Sequence, residues 1–137
     1  MNDLDGEARV SLAEVAPLPA VAAGLERIAR AMAARPEWVS GENTGLTRLA
    51  REFPGQLVVK NGAEGMLCVA WPLRDAGLAL KVADGNARAA LPALLFLLLE
   101  FEWLPAEVAA RLQDVREPVL HGYRGQEVGR VRVRCAG

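Results

Sequence analysis

Cysteine, histidine and lysine are all scarce in this sequence. Cys68 and Cys135 are the only cysteines and His121 is the only histidine among 137 residues. Two thiols cannot form a network of several disulfides, and with one imidazole they are too few for a four-ligand zinc site. No metal site and no cofactor are therefore expected from the chain itself. Only Lys60 and Lys81 of the 16 basic residues are lysines, so each lysine is a candidate for a specific role.

Long hydrophobic runs and an excess of one charge are also lacking. The longest apolar run covers residues 89–99, well short of the roughly 20 residues that a membrane-spanning helix needs. The first residues lack the basic start and apolar stretch of a secretory signal, so a cytoplasmic location is expected. The formal net charge of -1 provides no general attraction to nucleic acid or to an anionic membrane. Neither is therefore expected as a partner.

The composition is typical of a folded protein. Hydrophobic residues make up 52% of the chain and charged residues 24%, which is enough to form a sizeable core. The length of 137 residues is typical of a single domain. Residues 1–18 are polar enough to predict a loose N-terminal arm, so the predicted domain covers residues 19–137.

Apolar spacing predicts two helices in the first third of the chain. The first is amphipathic and must end before Arg35 and Pro36, because the residue before a proline disfavours helical backbone. Its apolar residues recur at spacings of four, three and four: Val21, Leu25, Ile28 and Met32. A second, short helix is predicted over residues 44–53, where Pro54 and Gly55 end it.

Two further helices are predicted in the second half of the chain. Residues 86–102 are apolar nearly all round the helix, which implies burial on two sides. Pro92 either lies in the first turn of this helix or kinks it, and the pattern leaves both alternatives open. A short helix is also predicted over residues 105–113, with a proline at its start.

Strands are predicted between these helices and at the C-terminus. Segments 56–60, 66–71 and 78–82 are rich in Val, Leu and Trp and predict a three-stranded antiparallel meander. Near the end, apolar residues alternate with arginines, which predicts a fourth strand in the same sheet with one packed face. These residues are Val131, Val133 and Cys135, alternating with Arg130, Arg132 and Arg134. The predicted fold class is α/β of the α+β type, with an antiparallel sheet of about four strands packed against helices.

Several polar residues have both a functional and a structural interpretation. Asp84 could contribute to a substrate pocket, but a turn in which Asn86 caps the next helix is favoured. Glu64 could bind a substrate ammonium group or be a solvated hairpin residue. The arginine row is better explained as the wet face of an edge strand than as an anion site. The two cysteines are expected to be buried and His121 to lie in a loop.

Two segments resemble a known family. Residues 60–65 read Lys-Asn-Gly-Ala-Glu-Gly, and residues 81–89 read Lys-Val-Ala-Asp-Gly-Asn-Ala-Arg-Ala. They are similar to K-x-G-A-[ED]-[GA] and K-[IV]-x-D-G-x-x-R-A in the C-terminal half of the asparaginase II family. Residues 30–37, 39–42 and 125–129 also resemble that family, as do Thr47 and Leu49 in the short helix. The resemblance extends from about residue 20 to residue 130.

The resemblance implies a serine β-lactamase-like fold and hydrolysis of the asparagine side-chain amide to aspartate and ammonia. Lys60 matches a strand lysine that lines the site in the family, so it is the candidate catalytic residue. A lysine acting near neutral pH needs an apolar wall or a neighbouring cation, or else stays charged and holds an oxyanion or carboxylate. Gly62, Glu64, Thr47 and Asp84 are the candidate substrate-binding residues.

The family's Ser-x-x-Lys nucleophile and its zinc-binding cysteines belong to an N-terminal half that has no counterpart in this sequence. The candidate hydroxyl nucleophiles are Ser11, Ser40, Thr44 and Thr47, with Tyr123 besides. None of them is followed by lysine three residues later, and nucleophilic catalysis needs an adjacent base. We therefore expect either a half-enzyme completed within a homo-oligomer or by a companion chain, or a non-catalytic module that binds a ligand or assembles.

Overall fold

Helices and short strands follow one another through the part of the chain that the structure, a computed structural model, describes, which is residues 19–135. The predicted N-terminal arm, residues 1–18, lies outside the described residues. The elements are α1 (Pro19–Ala34), α2 (Pro36–Ser40), α3 (Gly45–Arg51), β1 (Val58–Asn61), β2 (Met66–Trp71), β3 (Ala76–Lys81), α4 (Ala90–Glu100), α5 (Ala106–Arg111), α6 (Gln113–Arg116), β4 (Val119–His121) and β5 (Glu127–Arg130).

The two predicted N-terminal helices are confirmed. Helix α1 ends at Ala34, immediately before Arg35 and Pro36. Its apolar stripe is largely exposed, since Ala33 is its one buried residue. Helix α3 is shorter than the predicted 44–53, since it ends at Arg51 and begins after Thr44. Thr44 is its N-cap: the Thr44 hydroxyl accepts a hydrogen bond from the backbone N–H of Thr47 at 3.2 Å.

The predicted antiparallel meander is also confirmed. Strands β1, β2 and β3 form a sheet in that order, which we call the main sheet. Burial alternates strictly along β2, so one face of the sheet packs on the core and the other is open. We call these the inner and outer faces. The third strand begins at Ala76 rather than at residue 78, because a single 3-10 turn over Pro72–Arg74 completes the reversal of the chain.

The prediction that the C-terminal strand joins this sheet is wrong. Strand β5 pairs with β4 in a separate antiparallel hairpin, and the strand ends at Arg130. Arg132 and Arg134 therefore lie beyond it and do not form the wet face of an edge strand. The alternating pattern specifies extended backbone but no partner. The glycine-containing turn between β4 and β5 brings two nearby segments together, which costs less loop entropy than pairing with the distant main sheet.

The core lies between the inner face of the main sheet and α4. Helix α4 begins at Ala90, so Pro92 lies in its first turn and does not kink it. Leu94, Leu95 and Leu98 of this helix are completely buried. Trp71 of β2 is packed edge-on to the rings of two other aromatic residues, Phe53 and Trp103, at centroid distances of 4.6 Å and 6.5 Å. The α+β fold class, with antiparallel sheets packed against helices, is confirmed.

The expected burial of the cysteines is wrong. Cys68 and Cys135 are both exposed. Cys68 lies between Leu67 and Val69, whose side chains occupy the inner face, so strand alternation places the thiol on the outer face. His121 is likewise exposed, but it ends β4 instead of lying in a loop.

Two ion pairs join α3 to α5 and α6. Arg48 lies 2.6 Å from Asp114, and Arg111 lies 2.6 Å from Glu52, which directly follows α3. The hydrogen bond from Arg111 holds the pKa of the Glu52 carboxyl below its usual range. The hydrogen bond from Arg48 does the same for the pKa of Asp114. Each ion pair therefore stabilises the folded state as long as its carboxylate is charged.

These pairs predict a specific loss of stability in acid. A carboxyl with a lowered folded pKa stabilises the fold above its unfolded pKa, about 4 for these groups, and this stabilisation is lost as the pH falls through the folded pKa. Glu52→Gln is therefore expected to reduce stability at pH 6 and to flatten its decline between pH 5 and pH 2. Urea denaturation at several pH values measures this, with the exposed Glu100→Gln as control. Parallel pH profiles for the wild type and Glu52→Gln would contradict the assignment.

Candidate functional site

The motif at residues 60–65 forms the end of β1 and the turn into β2. The backbone N–H of Gly62 donates to the carbonyl of Met66 at 2.9 Å, and the N–H of Met66 donates to Ala63 at 3.2 Å. Glu64 and Gly65 both have positive φ, at 56° and 73°. These two left-handed residues reverse the chain tightly, so the end of the main sheet is formed by the motif itself.

Lys60 lies on the outer face of the main sheet. Its side chain is exposed, and its ammonium donates to the carbonyl of Asn61 at 2.5 Å. Its register partner on β2 is Cys68, which is exposed on the same face. The sequence prediction missed this neighbour because it placed the cysteine in the core. The alternation of Leu67, Cys68 and Val69 was the signal that could have identified it.

A cavity of about 120 Å³ lies on the other side of the same strand end. Asn61 and Gly62 of the motif line it, together with Leu46 of α3 and Leu91 of α4. Lys60 does not line it, since adjacent residues of a strand point to opposite faces. Asn61 was not among the predicted site residues. The two-residue period of the strand predicts its position once the face of Lys60 is known.

The second lysine of the family motifs bridges two loops. The ammonium of Lys81 donates to the carbonyl oxygens of Glu64 and Val82, the latter at 3.1 Å. The backbone N–H of Val82 also donates to Gly65 at 3.1 Å. These contacts hold the hairpin turn against the segment after β3, so Glu64 is fixed by its backbone while its side chain is exposed.

Asp84 lies in this same segment. Its carboxylate accepts a hydrogen bond from the N–H of Asn86 at 2.9 Å, and Asn86 in turn accepts one from the N–H of Arg88 at 3.0 Å. Asn86 thus caps the short 3-10 turn Ala87–Ala89 that leads into α4, which confirms the capping interpretation. Asp84 is exposed, and its second oxygen lies 4.0 Å from Arg88.

Thr47 is placed differently from the other candidates. It is completely buried, and its hydroxyl lies 2.7 Å from the carbonyl oxygen of Gly41, to which it donates. It therefore holds the turn between α2 and α3. The structure brings Lys60, Gly62, Glu64 and Asp84 to one end of the main sheet, whereas Thr47 reaches that end only through its neighbour Leu46.

Among residues 19–135, no three histidine, cysteine, aspartate or glutamate side chains are grouped closely enough to bind a metal ion together. In the same part of the chain, every helix is too short or too polar to cross a membrane.

The described residues thus form an α+β fold in which a lysine and a glycine-containing hairpin turn lie at one end of an antiparallel sheet. Comparison with sequence models of known families identifies the family of proteins to which this fold belongs. The sequence model of the L-asparaginase II family matches residues 4–133, nearly the whole chain. The protein belongs to the L-asparaginase II family, so the relationship inferred from the motifs is confirmed. A search of curated proteins found no match.

Proposed function

We propose that this chain provides part of the active site of an L-asparagine amidohydrolase, with Lys60 as a catalytic residue. Membership of the L-asparaginase II family over residues 4–133 is the observation that carries the proposal. Gly62, Glu64 and Asp84 are proposed to contact the substrate at the end of the main sheet. Thr47 is proposed to contribute by positioning α3, because its hydroxyl is already bonded within the fold.

The position of Lys60 favours a charged role over that of a base. A lysine base near neutral pH needs an apolar wall or a second cation beside it. Lys60 is exposed, and its register partner Cys68 supplies neither. The ammonium donates one hydrogen bond to Asn61 and has two further donors with which to hold negative charge, either the α-carboxylate of asparagine or the oxyanion that forms when its amide is attacked.

The nucleophile is proposed to come from a Ser-x-x-Lys pair in a companion polypeptide. The lysine of that pair takes the hydroxyl proton as the serine oxygen attacks the side-chain carbonyl carbon of asparagine. It passes the proton to the amide nitrogen as the C–N bond breaks, so that ammonia leaves. Water then hydrolyses the acyl-serine to aspartate and restores the serine. Hydroxyl side chains in this chain do not fit the nucleophile's role, because none has a lysine three residues later. The complete enzyme is proposed to act in the cytoplasm.

A non-catalytic role in binding or assembly is the second candidate. It is favoured by the cavity at the strand end, whose lining includes Asn61 but not Lys60. Such a module would bind asparagine without releasing ammonia. Binding alone would raise the melting temperature, because a ligand that prefers the folded state stabilises it.

The role of Lys60 predicts a large loss of activity on substitution. The protein is purified from its native host with any associated chains, and ammonia release from L-asparagine and L-glutamine is measured. Lys60→Met is expected to lower release from asparagine about 100-fold or more, the scale for loss of one oxyanion-stabilising group. Lys60→Arg is expected to retain part of the activity because the charge remains. Melting temperatures should be unchanged, since the Lys60 side chain is exposed.

Arg27→Met is the matched control, because Arg27 is an exposed cation on α1, remote in sequence from the motif. It is expected to leave ammonia release unchanged. Full activity in Lys60→Met would refute the catalytic role. A preparation that shows no ammonia release but is stabilised by millimolar asparagine would favour the binding module instead.

A further inference from the structure

Lys81 ends β3 and lies opposite the turn that leads into β2. Its register partner is Met66, the first residue of β2. The Lys81 side chain is exposed, yet its ammonium already donates to two backbone carbonyls, those of Glu64 and Val82. An ammonium has three donors. Two of the three therefore hold the turn and the segment after β3 together.

The carbonyl of Glu64 depends on Lys81 for its hydrogen bond. Within residues 19–135, no backbone N–H donates to this oxygen, although the N–H of Met66 donates to Ala63 in the same turn. Glu64 also has a φ of 56°, a left-handed conformation that residues with a β-carbon adopt rarely. A backbone in such a conformation persists only where its surroundings hold it. The Lys81 ammonium provides one of the bonds that do so.

This arrangement leaves the Glu64 carboxylate available to a ligand. The side chain is exposed, and in the described part of the chain the carboxylate forms no ion pair. The Lys81 ammonium binds the backbone of Glu64 instead of pairing with its carboxylate. A carboxylate that is fixed through its backbone, without a cation of its own, is suited to bind an ammonium group of a ligand.

We infer that Lys81 is a positioning residue for recognition of the α-ammonium group of the substrate. The inference rests on the proposed function, in which Glu64 contacts asparagine at the end of the main sheet. Lys81 holds the Glu64 carbonyl, the left-handed backbone sets the direction of the Glu64 side chain, and the carboxylate accepts hydrogen bonds from the ammonium. The two lysines thus have different roles. Lys60 holds negative charge of the substrate, whereas Lys81 acts through Glu64 on its positive charge.

The test is a double-mutant cycle between Lys81 and Glu64, made in the complex purified from the native host. Lys81→Met and Glu64→Gln are each expected to raise KM for L-asparagine about tenfold, the scale for one hydrogen bond to a charged group, and to change kcat by less than about twofold. The double variant is expected to have the KM of Glu64→Gln alone, because Lys81 acts only through that carboxylate. Lys81→Arg keeps the charge and the donors, so it is expected to restore most of the affinity.

A ligand without an amino group distinguishes positioning from direct contact. Succinamate is asparagine without its amino group, so it offers the Glu64 carboxylate no cation. Its inhibition constant, measured from aspartate formation, is expected to be equal in the wild type and in Lys81→Met. If both ligands bind more weakly to Lys81→Met by the same factor, Lys81 either contacts a group that they share or only maintains the fold, and the positioning role is overturned.

Failure of this role can be distinguished from failure of the amidohydrolase proposal. An active wild type whose KM is unaffected by Lys81→Met would overturn the role of Lys81 alone. So would effects of the two substitutions that multiply in the double variant. A wild-type complex that releases no ammonia would overturn the proposed function and, with it, this role of Lys81 in the reaction.

Discussion

Trp71→Ala is expected to lower the free energy of unfolding by about 3–5 kcal/mol, the range for removal of a buried aromatic side chain. Domains of this size have total stabilities of about 5–15 kcal/mol, so the variant would retain little margin. Trp71 is 2% exposed and lies in the interior of the core.

The large effect follows from three contacts that the indole makes, two with aromatic rings and one with a cation. It packs edge-on to Phe53 and Trp103, which joins the main sheet to the ends of α3 and α4. The guanidinium of Arg74 lies 4.5 Å from the ring centroid, a cation–π contact that helps fix the turn into β3. Alanine removes all of these and leaves a cavity that the surrounding elements cannot fill without moving.

Trp38→Ala is the matched control, because Trp38 is 82% exposed. Its loss is expected to change the free energy of unfolding by about 0.5 kcal/mol or less, as for most surface substitutions. Urea denaturation followed by far-ultraviolet circular dichroism measures both variants without relying on tryptophan fluorescence. Equal destabilisation by the two substitutions would mean that the core is not where the structure places it.

The main elements of this fold could be predicted because their patterns have a direct physical cause. Leu67, Val69 and Trp71 alternate with smaller or exposed residues, which is the period that a half-buried strand requires. The position of Pro92 was narrowed to two alternatives, and the first turn prevailed because proline lacks only an N–H that has no partner there. Local chemistry was sufficient in both cases.

Which strands pair with each other could not be predicted from the same kind of pattern. The alternation around Val131 and Val133 specifies an extended chain, but the partner of β5 is determined by the turn that precedes it. The predicted burial of Cys68 failed for a different reason. The prediction followed the general preference of cysteine for the interior. In a strand, however, the alternation of the side chains decides which face of the sheet each residue occupies.

For the candidate site too, the sequence predicted which residues belong to it but not how they face one another. The resemblance to the family located Lys60, Gly62, Glu64 and Asp84, and the structure brings them to one end of the main sheet. Which of them faces the cavity depends on the pairing of β1 with β2 and on the approach of α3 and α4. These are contacts between distant segments, so a single sequence does not specify them.

Gly65→Ala is expected to destabilise the protein by about 2–5 kcal/mol, because two costs coincide at this position. Gly65 has φ of 73°, a conformation in which a β-carbon costs about 1–2 kcal/mol. An added β-carbon would also lie 2.9 Å from the Val82 β-carbon and 3.1 Å from the carbonyl carbon of Gly85. The second of these is backbone and cannot move aside, so the hairpin and the segment after β3 must separate.

Gly55→Ala is the matched control that measures the cost of the backbone conformation without the cost of packing. Gly55 has nearly the same φ, 72°, but nothing lies within 4 Å of an added β-carbon. It should therefore show the conformational cost alone, about 1–2 kcal/mol. The difference between the two variants in urea denaturation measures how tightly the turn packs on the segment after β3. Equal losses in both variants would show that the packing at Gly65 contributes nothing.

The packing of the turn at Gly65 also positions residues of the candidate site. Separating the two loops would remove the bond from Val82 to Gly65 and shift the carbonyl of Glu64 that Lys81 holds. Glu64 and Asp84 would then lose their fixed relation at the strand end. In the complex purified from the native host, Gly65→Ala is thus expected to raise KM for asparagine more than Gly55→Ala does at a temperature where both variants are folded. An unchanged KM would mean that substrate binding does not depend on how these two loops are held together.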